Sequence, residues 1–588
     1  MQFVLRDVAP LEEVASLPGC EEVTPELAEA ILKEASKLAG GVLSPLYASG
    51  DREGARREGD QVFTAAGWRE AYRHFVDGGW NALPSDPAHG GQGMPRLISA
   101  LVEEMWDGAN LAFALCPMLG RGAVEAIELR GSEALRRTYL SRLVSGEWTG
   151  TMVLTEPQAG SDLAGVRTRA TPQADGTYRL EGQKIFITYG EHDLAENIVH
   201  LVLARTPHAP EGVKGISLFV VPKFLVEADG RLGARNDVHC TSLEHKLGIH
   251  ASPTAVLTFG EQGGAVGWLV GEENRGLEYM FIMMNSARFS VGLEGIGLSE
   301  RAYQQALAYA QERLQGAELG ARSRDKVAII RHPDVRRMLL LMKSRTEAAR
   351  ALASVVAAAM DTARRHPDPA RRQERQAFVD LMIPIVKGWI TETTIDNASL
   401  GVQVHGGAGF IEETGAAQVL RDARITTIYE GTTGIQAADL IGRKVARDGG
   451  QAIARVVGQM REVAEELRKQ ASPGLTVIAA RLGEGVDALE AAVRFILSSY
   501  GTDPRRAAAG SVPFLHLFGS VAGGWQLGRS ALAAHRHLAA GDGEAAFYRA
   551  KLVTARFYAD HVLVQAAGLA RTVVEGAEAV LAIEDEQF

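Results

Sequence analysis

The chain has 588 residues, of which 46% are hydrophobic and 23% charged, and its net charge is −10. That length exceeds a single hydrophobic core and predicts roughly three or four domains of ordinary globular composition, while the acidic balance excludes nucleic acid as the main partner, because phosphate backbones select basic faces. Cys20, Cys116 and Cys240 lie far apart with no CxxC pair, which excludes a disulfide framework or a zinc knuckle and fits a reducing, cytoplasmic setting.

The opening MQFVLRDVAPLEEV has early acids and no apolar run, so no secretory signal is expected. Residues 1–150 are predicted as an N-terminal α domain. Thr24, with Glu26 in the first turn, starts TPELAEAILKEASKLAGGVLSPL at helical spacing. GWREAYRHFVDGGW repeats that pattern, and SDPAHGGQGMP (85–95) is a Gly/Pro loop. RLISALVEEMWDGANLAFAL and GAVEAIELRGSEALRRTYLSRLVSG then resume helix.

Near residue 150 the period changes to alternation. TGTMVLTEP, TYRLEGQKIFIT, NIVHLVLART, GISLFVVPK and PTAVLTFGE are short β-rich runs broken by Gly, Pro and Asp. They predict a middle antiparallel β domain over 151–265. Long helical segments return over 266–450 and predict an up-down four-helix bundle. Within it ALASVVAAAM (351–360) is about half a membrane span, flanked by arginines, and reads as a buried helix. No uncharged apolar run in the chain is long enough to cross a membrane. Residues 451–588 predict an extra helical domain, so the fold class is α+β. No repeat of fixed period is evident.

Several chemistries are absent. There is no Gly-Lys dipeptide and hence no P-loop, no GxSxG elbow and no HExxH. No cluster with metal-ligand spacing is present, so no metal is expected. His535 and His537 flank Arg536 in a helical stretch and read as a solvated surface. Gly292, Gly295 and Gly297 follow a helix, not a strand, and read as close helix packing, not a dinucleotide fingerprint. Hard chemistry must then come from an organic cofactor. LTEPQAGSDLAG (154–165) breaks a strand with Pro and Gly and offers Thr155, Ser161 and backbone N–H groups close together, as a loop that cradles a pyrophosphate or a flavin edge does. KIFITYGE (184–191) ends a strand on an aromatic and a hydroxyl, and VHGGAGF (404–410) is a third Gly-rich turn.

TEPQAGSD, KIFITYG, NSARF, QVHGGAGFIEE and RDARITTIYEGTTGIQ occur in this order, over roughly residues 40–445. The ordered set resembles the acyl-CoA dehydrogenase family. With its extension and the opening LPGCEEVTPELAEAILKEASKLAGGVLSPL, the chain is most similar to the larger bacterial members, including those assigned to 3-methylmercaptopropionyl-CoA. The resemblance implies an N-terminal helical domain, a central β domain and a C-terminal bundle that bind FAD across a subunit interface. It implies that Met152, Leu154, Thr155, Gly160 and Ser161 line the flavin, with Thr155 near the pyrimidine edge and Ser161 near phosphate and substrate. Phe186, Ile187 and Thr188 match the strand end behind the ring, with Thr188 at N5. Arg313 matches an arginine that reaches the neighbouring subunit's FAD. Gln403, Val404, His405, Gly406 and Gly407 match the turn at the adenosine end, and Thr432, Thr433 and Gly434 approach the cofactor. Asn285, Arg288 and Gly431 border the acyl-CoA site, with Ser286 and Ala287 between the first two.

Glu430 matches the catalytic base. Removing a proton next to a thioester needs a base and an oxyanion stabiliser together. The resemblance implies that Glu430 takes the α-proton, that its backbone N–H and a flavin ribityl hydroxyl hold the thioester oxygen, and that the β-hydride passes to flavin N5, giving the trans-2-enoyl-CoA. A lone carboxylate kept from water by Ile428, Tyr429 and the flavin is a stronger base, and Gly431 admits substrate close to the backbone. Electron-transfer flavoprotein is the implied acceptor and a homodimer the implied assembly, the extension covering the bundle. The alternatives are an oxidase of the same fold, a nitroalkane oxidase-like enzyme (against which Glu rather than Asp at 430 argues) and a non-catalytic flavoprotein. The segment after Arg313, QGAELGARSRD, is longer than is usual and lacks an aromatic, and His332-Pro333 replaces a polar side chain.

Overall fold

The computed structural model describes residues 1–588. It separates into two compact units, one of Lys33–Met94 and Met105–Ser290, the other of Met1–Leu32, Pro95–Glu104 and Val291–Phe588.

In the unit formed by Lys33–Met94 and Met105–Ser290, helices precede a sheet. Trp68–Asp77 buries Trp68, Ala71, Tyr72 and Phe75 along one face, the stripe that helical spacing dictates. The part of helix Arg96–Arg130 that belongs to this unit, from Met105 onward, is interrupted at Asn110, whose backbone is extended. The Asn110 side chain donates to the Leu43 carbonyl at 3.2 Å and accepts from the Phe113 N–H at 3.3 Å, so a polar side chain there replaces helix bonding. The eight-stranded sheet runs Val238–Leu243, Thr254–Phe259, Tyr178–Thr188, Ala265–Leu269, Ser217–Pro222, Asn197–Ala204 and Trp148–Val153, with Arg169–Pro172 also on Tyr178–Thr188. It departs from the predicted antiparallel sheet at one edge, where Trp148–Val153 pairs parallel with Asn197–Ala204. A parallel pair needs a long crossover, and residues 154–196 provide it. Val153, Leu180, Val202, Phe219, Leu257 and Phe259 fill the sheet's core. His192 and His200 are buried beside it on the Thr149 and Thr151 hydroxyls, at 2.9 and 2.8 Å. Burial pushes both imidazoles down to about 3, so they are neutral.

In the other unit the bundle is built from the C-terminal part of Gly276–Glu312, then Pro333–Arg365, Pro369–Pro384 and Ile390–His405. Pro333 opens its helix at the first position, where its missing N–H costs nothing. A Cβ at Gly292 would lie 2.5 Å from Val386 Cγ1, and one at Gly295 would lie 2.7 Å from Thr394 Oγ1. Those glycines are therefore close helix packing, as read. Between Pro369–Pro384 and Ile390–His405 the helix widens at Ile385–Trp389. This loosened turn follows Pro384, which cannot donate the helical hydrogen bond.

The extension adds Gln451–Lys469, Pro473–Ser499, Ser511–Ala540 and Ala545–His561. Ser511–Ala540 packs on Pro333–Arg365, on the widened turn and on the short helix Thr433–Asp439. Contact is closest at Gly519, where a Cβ would fall 2.1 Å from Trp389 Cγ. The solvated reading of His535 and His537 is corrected here: both are half-buried. His537 lies between Asp7, at 2.8 Å, and Asp542, at 2.5 Å, and stacks on Tyr548 at 4.7 Å. No helix is long and apolar enough to cross a membrane.

Candidate active site

Strand Trp148–Val153 delivers its chain into the loop that holds Leu154, Thr155, Gly160 and Ser161. The loop is tied to strand Tyr178–Thr188, because Ile185 N–H donates to the Thr155 carbonyl at 2.9 Å and Lys184 Nζ to the Leu154 carbonyl at 2.8 Å. The structure thus brings the Met152–Ser161 and Phe186–Thr188 groups together. Met152 and Ile187 are buried, Leu154, Thr155 and Thr188 half-buried, and Gly160 and Ser161 exposed. Phe186 is 60% exposed and sits in the left-handed region at φ 60°. An exposed aromatic held in that conformation is strain of the kind that functional sites keep.

The sequence reading missed what organises this loop. Glu156, buried, accepts from Arg167 N–H (2.7 Å), Thr168 N–H (3.0 Å), the Thr168 hydroxyl (2.6 Å) and Gln158 Nε2 (2.6 Å), and pairs with the fully buried Lys184 at 2.9 Å. Burial pushes the Glu156 carboxyl up, but Lys184 and the Thr168 hydroxyl more than reverse this and hold it at about 2. Burial lowers Lys184 to about 8 in spite of Glu156. An acid and a lysine at either end of the quoted motifs were the available signal. In the same unit Arg288 is buried with its guanidinium 5.9 Å from the Phe281 ring centroid, the Ser286 hydroxyl donates to Glu125 at 3.2 Å, and Asn285 is exposed.

In the other unit Glu430 is half-buried and also left-handed, at φ 54°, followed by Gly431 at φ 92°. Two side chains hold this turn from behind. Lys387, fully buried in the widened turn, donates to the Gly431 carbonyl at 2.7 Å, and Gln436 Nε2 donates to the Glu430 carbonyl at 3.2 Å. Thr432 caps the next helix by accepting from Ile435 N–H at 3.3 Å, while the Thr433 hydroxyl donates to Glu392.

Two expectations about Glu430 are corrected. Ile428 does not by itself shut out water within the chain, since it is 46% exposed. Nor is the acid solitary. The Tyr429 hydroxyl donates to Glu294, a carboxyl 1% exposed on helix Gly276–Glu312. Burial pushes Glu294 up to about 8, with Glu430 and Glu103 adding to the rise and Tyr429 and Lys387 opposing it. A lone acid in VGLEGIGL and a lone lysine in MIPIVKGW were the sequence signals for Glu294 and Lys387.

Arg313, Gln403, Gly406 and Gly407 lie on exposed surface at helix ends, with Phe410 84% exposed beside them. The long segment after Arg313 folds back on itself, Gln315 N–H reaching the Val327 carbonyl and Ile329 N–H the Arg313 carbonyl. His405 is buried and stacks on Tyr309 at 4.5 Å. A Cβ at Gly406 or Gly407 would meet nothing within 4 Å, one at Gly160 only Thr155 at 3.9 Å, and one at Gly434 only Thr432 at 3.8 Å. Gly406 is needed for its own backbone, at φ 61° and ψ −140°, but packing within the chain does not require glycine at Gly160, Gly407 or Gly434, and close approach by a nucleotide cofactor fits those three.

The profile described as acyl-CoA dehydrogenase, N-terminal domain, matches residues 25–147, the middle domain 151–261, the C-terminal domain 274–445, and acetyl-CoA dehydrogenase C-terminal like 456–584. The 3-methylmercaptopropionyl-CoA dehydrogenase of Ruegeria pomeroyi is 51% identical over 96% of this chain and 95% of its own length. A butyryl-CoA dehydrogenase of Syntrophomonas wolfei is 34% identical over 95% and 93%. The solved structure of a Bacillus anthracis acyl-CoA dehydrogenase complexed with FAD shares the fold at a TM-score of 0.75 and 20% identity, over 99% of this chain and 94% of that one.

Proposed function

Because the chain belongs to the acyl-CoA dehydrogenase family, we propose that it is an FAD-dependent oxidoreductase that removes the α- and β-hydrogens of an acyl-CoA thioester, with Glu430 as the base. The observation that carries this is the Glu430 turn, a left-handed acid followed by a left-handed glycine and braced from inside by Lys387 and Gln436. Such a turn presents one carboxylate and its own backbone outward together. The carboxylate takes the α-proton, and the backbone N–H of Glu430 faces the thioester oxygen as negative charge gathers there. Gly431 keeps that approach clear of a side chain.

FAD, when bound, supplies the acceptor for the β-hydride. The loop Leu154–Ser161, with Phe186 and Thr188, would hold its ring, and Gln403, Gly406, Gly407, Thr432 and Gly434 the rest. Exposed Arg313 and Phe410 fit a homodimer whose partner copy covers them. Electron-transfer flavoprotein is the acceptor we assign. The 51% identity to the Ruegeria relative favours a short thioether acyl group such as 3-methylmercaptopropionyl. The test is anaerobic dye reduction by purified holoenzyme across a panel of acyl-CoA thioesters. Short and thioether substrates should turn over fastest, and Glu430→Gln should retain flavin while losing at least about a thousandfold in kcat. Full turnover by that variant removes Glu430 from the role.

A further inference from the structure

We propose that Glu294 is a positioning residue for the catalytic base, acting as a neutral carboxylic acid that locks the Tyr429–Glu430 turn in its left-handed form. The proposal rests on Glu430 being the base.

The geometry is specific. Glu294 accepts the Tyr429 hydroxyl on Oε2, while its buried Oε1 has no hydrogen-bond partner. Tyr429 is the residue immediately before the base, so a fixed phenol fixes the entry to a turn that is otherwise strained. The charged groups that face Glu294 are few. Lys387 directs a hydrogen bond to the Gly431 carbonyl, Glu103 is bound by Arg96 at 3.0 Å, and Glu430 stands on the turn itself. A buried carboxylate with one hydrogen bond and a like charge nearby is a costly arrangement. A protonated carboxyl meets the same geometry at far lower cost and leaves the site with a single negative charge, on Glu430.

This gives Glu294 an opposite role from the acid beside it. Glu430 must be ionised to accept a proton, and Glu294 must be neutral for the turn to stay closed. Once Glu294 ionises, the two carboxylates repel. That repulsion pushes the half-exposed Glu430 out of its working position.

The experiment uses holoenzyme with Glu294→Gln, Glu294→Ala and Tyr429→Phe. Glutamine can accept the same phenol hydrogen bond and carries no charge, so E294Q should rescue most of what E294A loses. E294A and Y429F should each lower kcat by about tenfold with little change in KM, the effect of one lost positioning hydrogen bond. Wild-type kcat should fall as pH rises past about 8, and E294Q should stay flat there. A second readout needs no turnover. The folded protein keeps the Glu294 proton to about 8, whereas the unfolded chain releases it near 4.5. The wild type should therefore lose stability relative to E294Q as pH rises from 4.5 to 8, seen as a widening gap between heat-denaturation midpoints, level above that. The proposal is overturned if E294Q is as damaged as E294A, if E294A retains full kcat, or if the two midpoint curves run parallel. Should Glu430→Gln keep its turnover while the midpoint gap still widens, it is the reading of Glu430 that has failed.

Discussion

Lys184→Met isolates what holds the loop Leu154–Ser161. The side chain is fully buried, its ammonium bonds both Glu156 and the Leu154 carbonyl, and methionine has nearly its volume. Removing one partner of a buried pair typically costs about 3–5 kcal/mol, since a charge is left without its counter-ion. Here Glu156 keeps four other donors, on Arg167, Thr168 and Gln158, so the low end, about 3 kcal/mol, is expected. At about 2–4 °C per kcal/mol for a unit of this size, the heat-denaturation midpoint should drop by roughly 6–12 °C. FAD should wash off the variant on gel filtration, because Leu154 and Thr155 lose their anchor. The double variant Glu156→Met/Lys184→Met should recover much of the stability, since two well-packed apolar groups replace two desolvated charges. The pH dependence follows from Glu156, held at about 2 when folded against 4.5 when unfolded. Its contribution is complete above 4.5 and is lost as pH falls toward 2. The gap between wild type and Lys184→Met should therefore close over that interval. A variant within about 1 kcal/mol of wild type that keeps its flavin would refute the argument, as would a double variant no better than the single.

Two further substitutions test the bundle side. Gly407→Ala should leave the fold within about 0.5 kcal/mol of wild type, because nothing lies within 4 Å of the added carbon. It should still weaken FAD binding, which calorimetric titration of the apoprotein measures. Gly519→Leu should cost about 3 kcal/mol or more, since its side chain must enter the space of the Trp389 ring. It should also lower kcat through the widened turn, and chemical denaturation with dye reduction on the same preparation reads both.

The elements were largely legible in the sequence because their periods are strong. The stripe of Trp68, Tyr72 and Phe75 and the buried run 351–360 each declare themselves without tertiary context. The parallel edge of the sheet was not legible, since strand direction depends on how a connection is routed and not on residue period. In the site, the turn at Glu430 and the loop at Thr155 could be found from small and hydroxyl residues in a fixed order. Their supports could not. Lys387 and Glu294 each sit singly among apolar residues, and only the packed bundle shows that both converge on Tyr429–Gly431. Phe186 reads as a strand residue, and its left-handed backbone lies where the pairing with Thr254–Phe259 shifts register, between Lys184 and Ile187. The exposure of Ile428 was not legible either, because an apolar residue in a short turn carries no periodicity that says whether it is covered.

The meeting of Gly519 with Trp389 has a consequence for how this protein can change over time. The two residues lie 130 positions apart in the numbering, yet Gly519 cannot gain bulk unless Trp389 gives way, and the indole belongs to the stretch from which Lys387 reaches the Glu430 turn. The last helices are thus not a detachable appendage that a deletion could trim away.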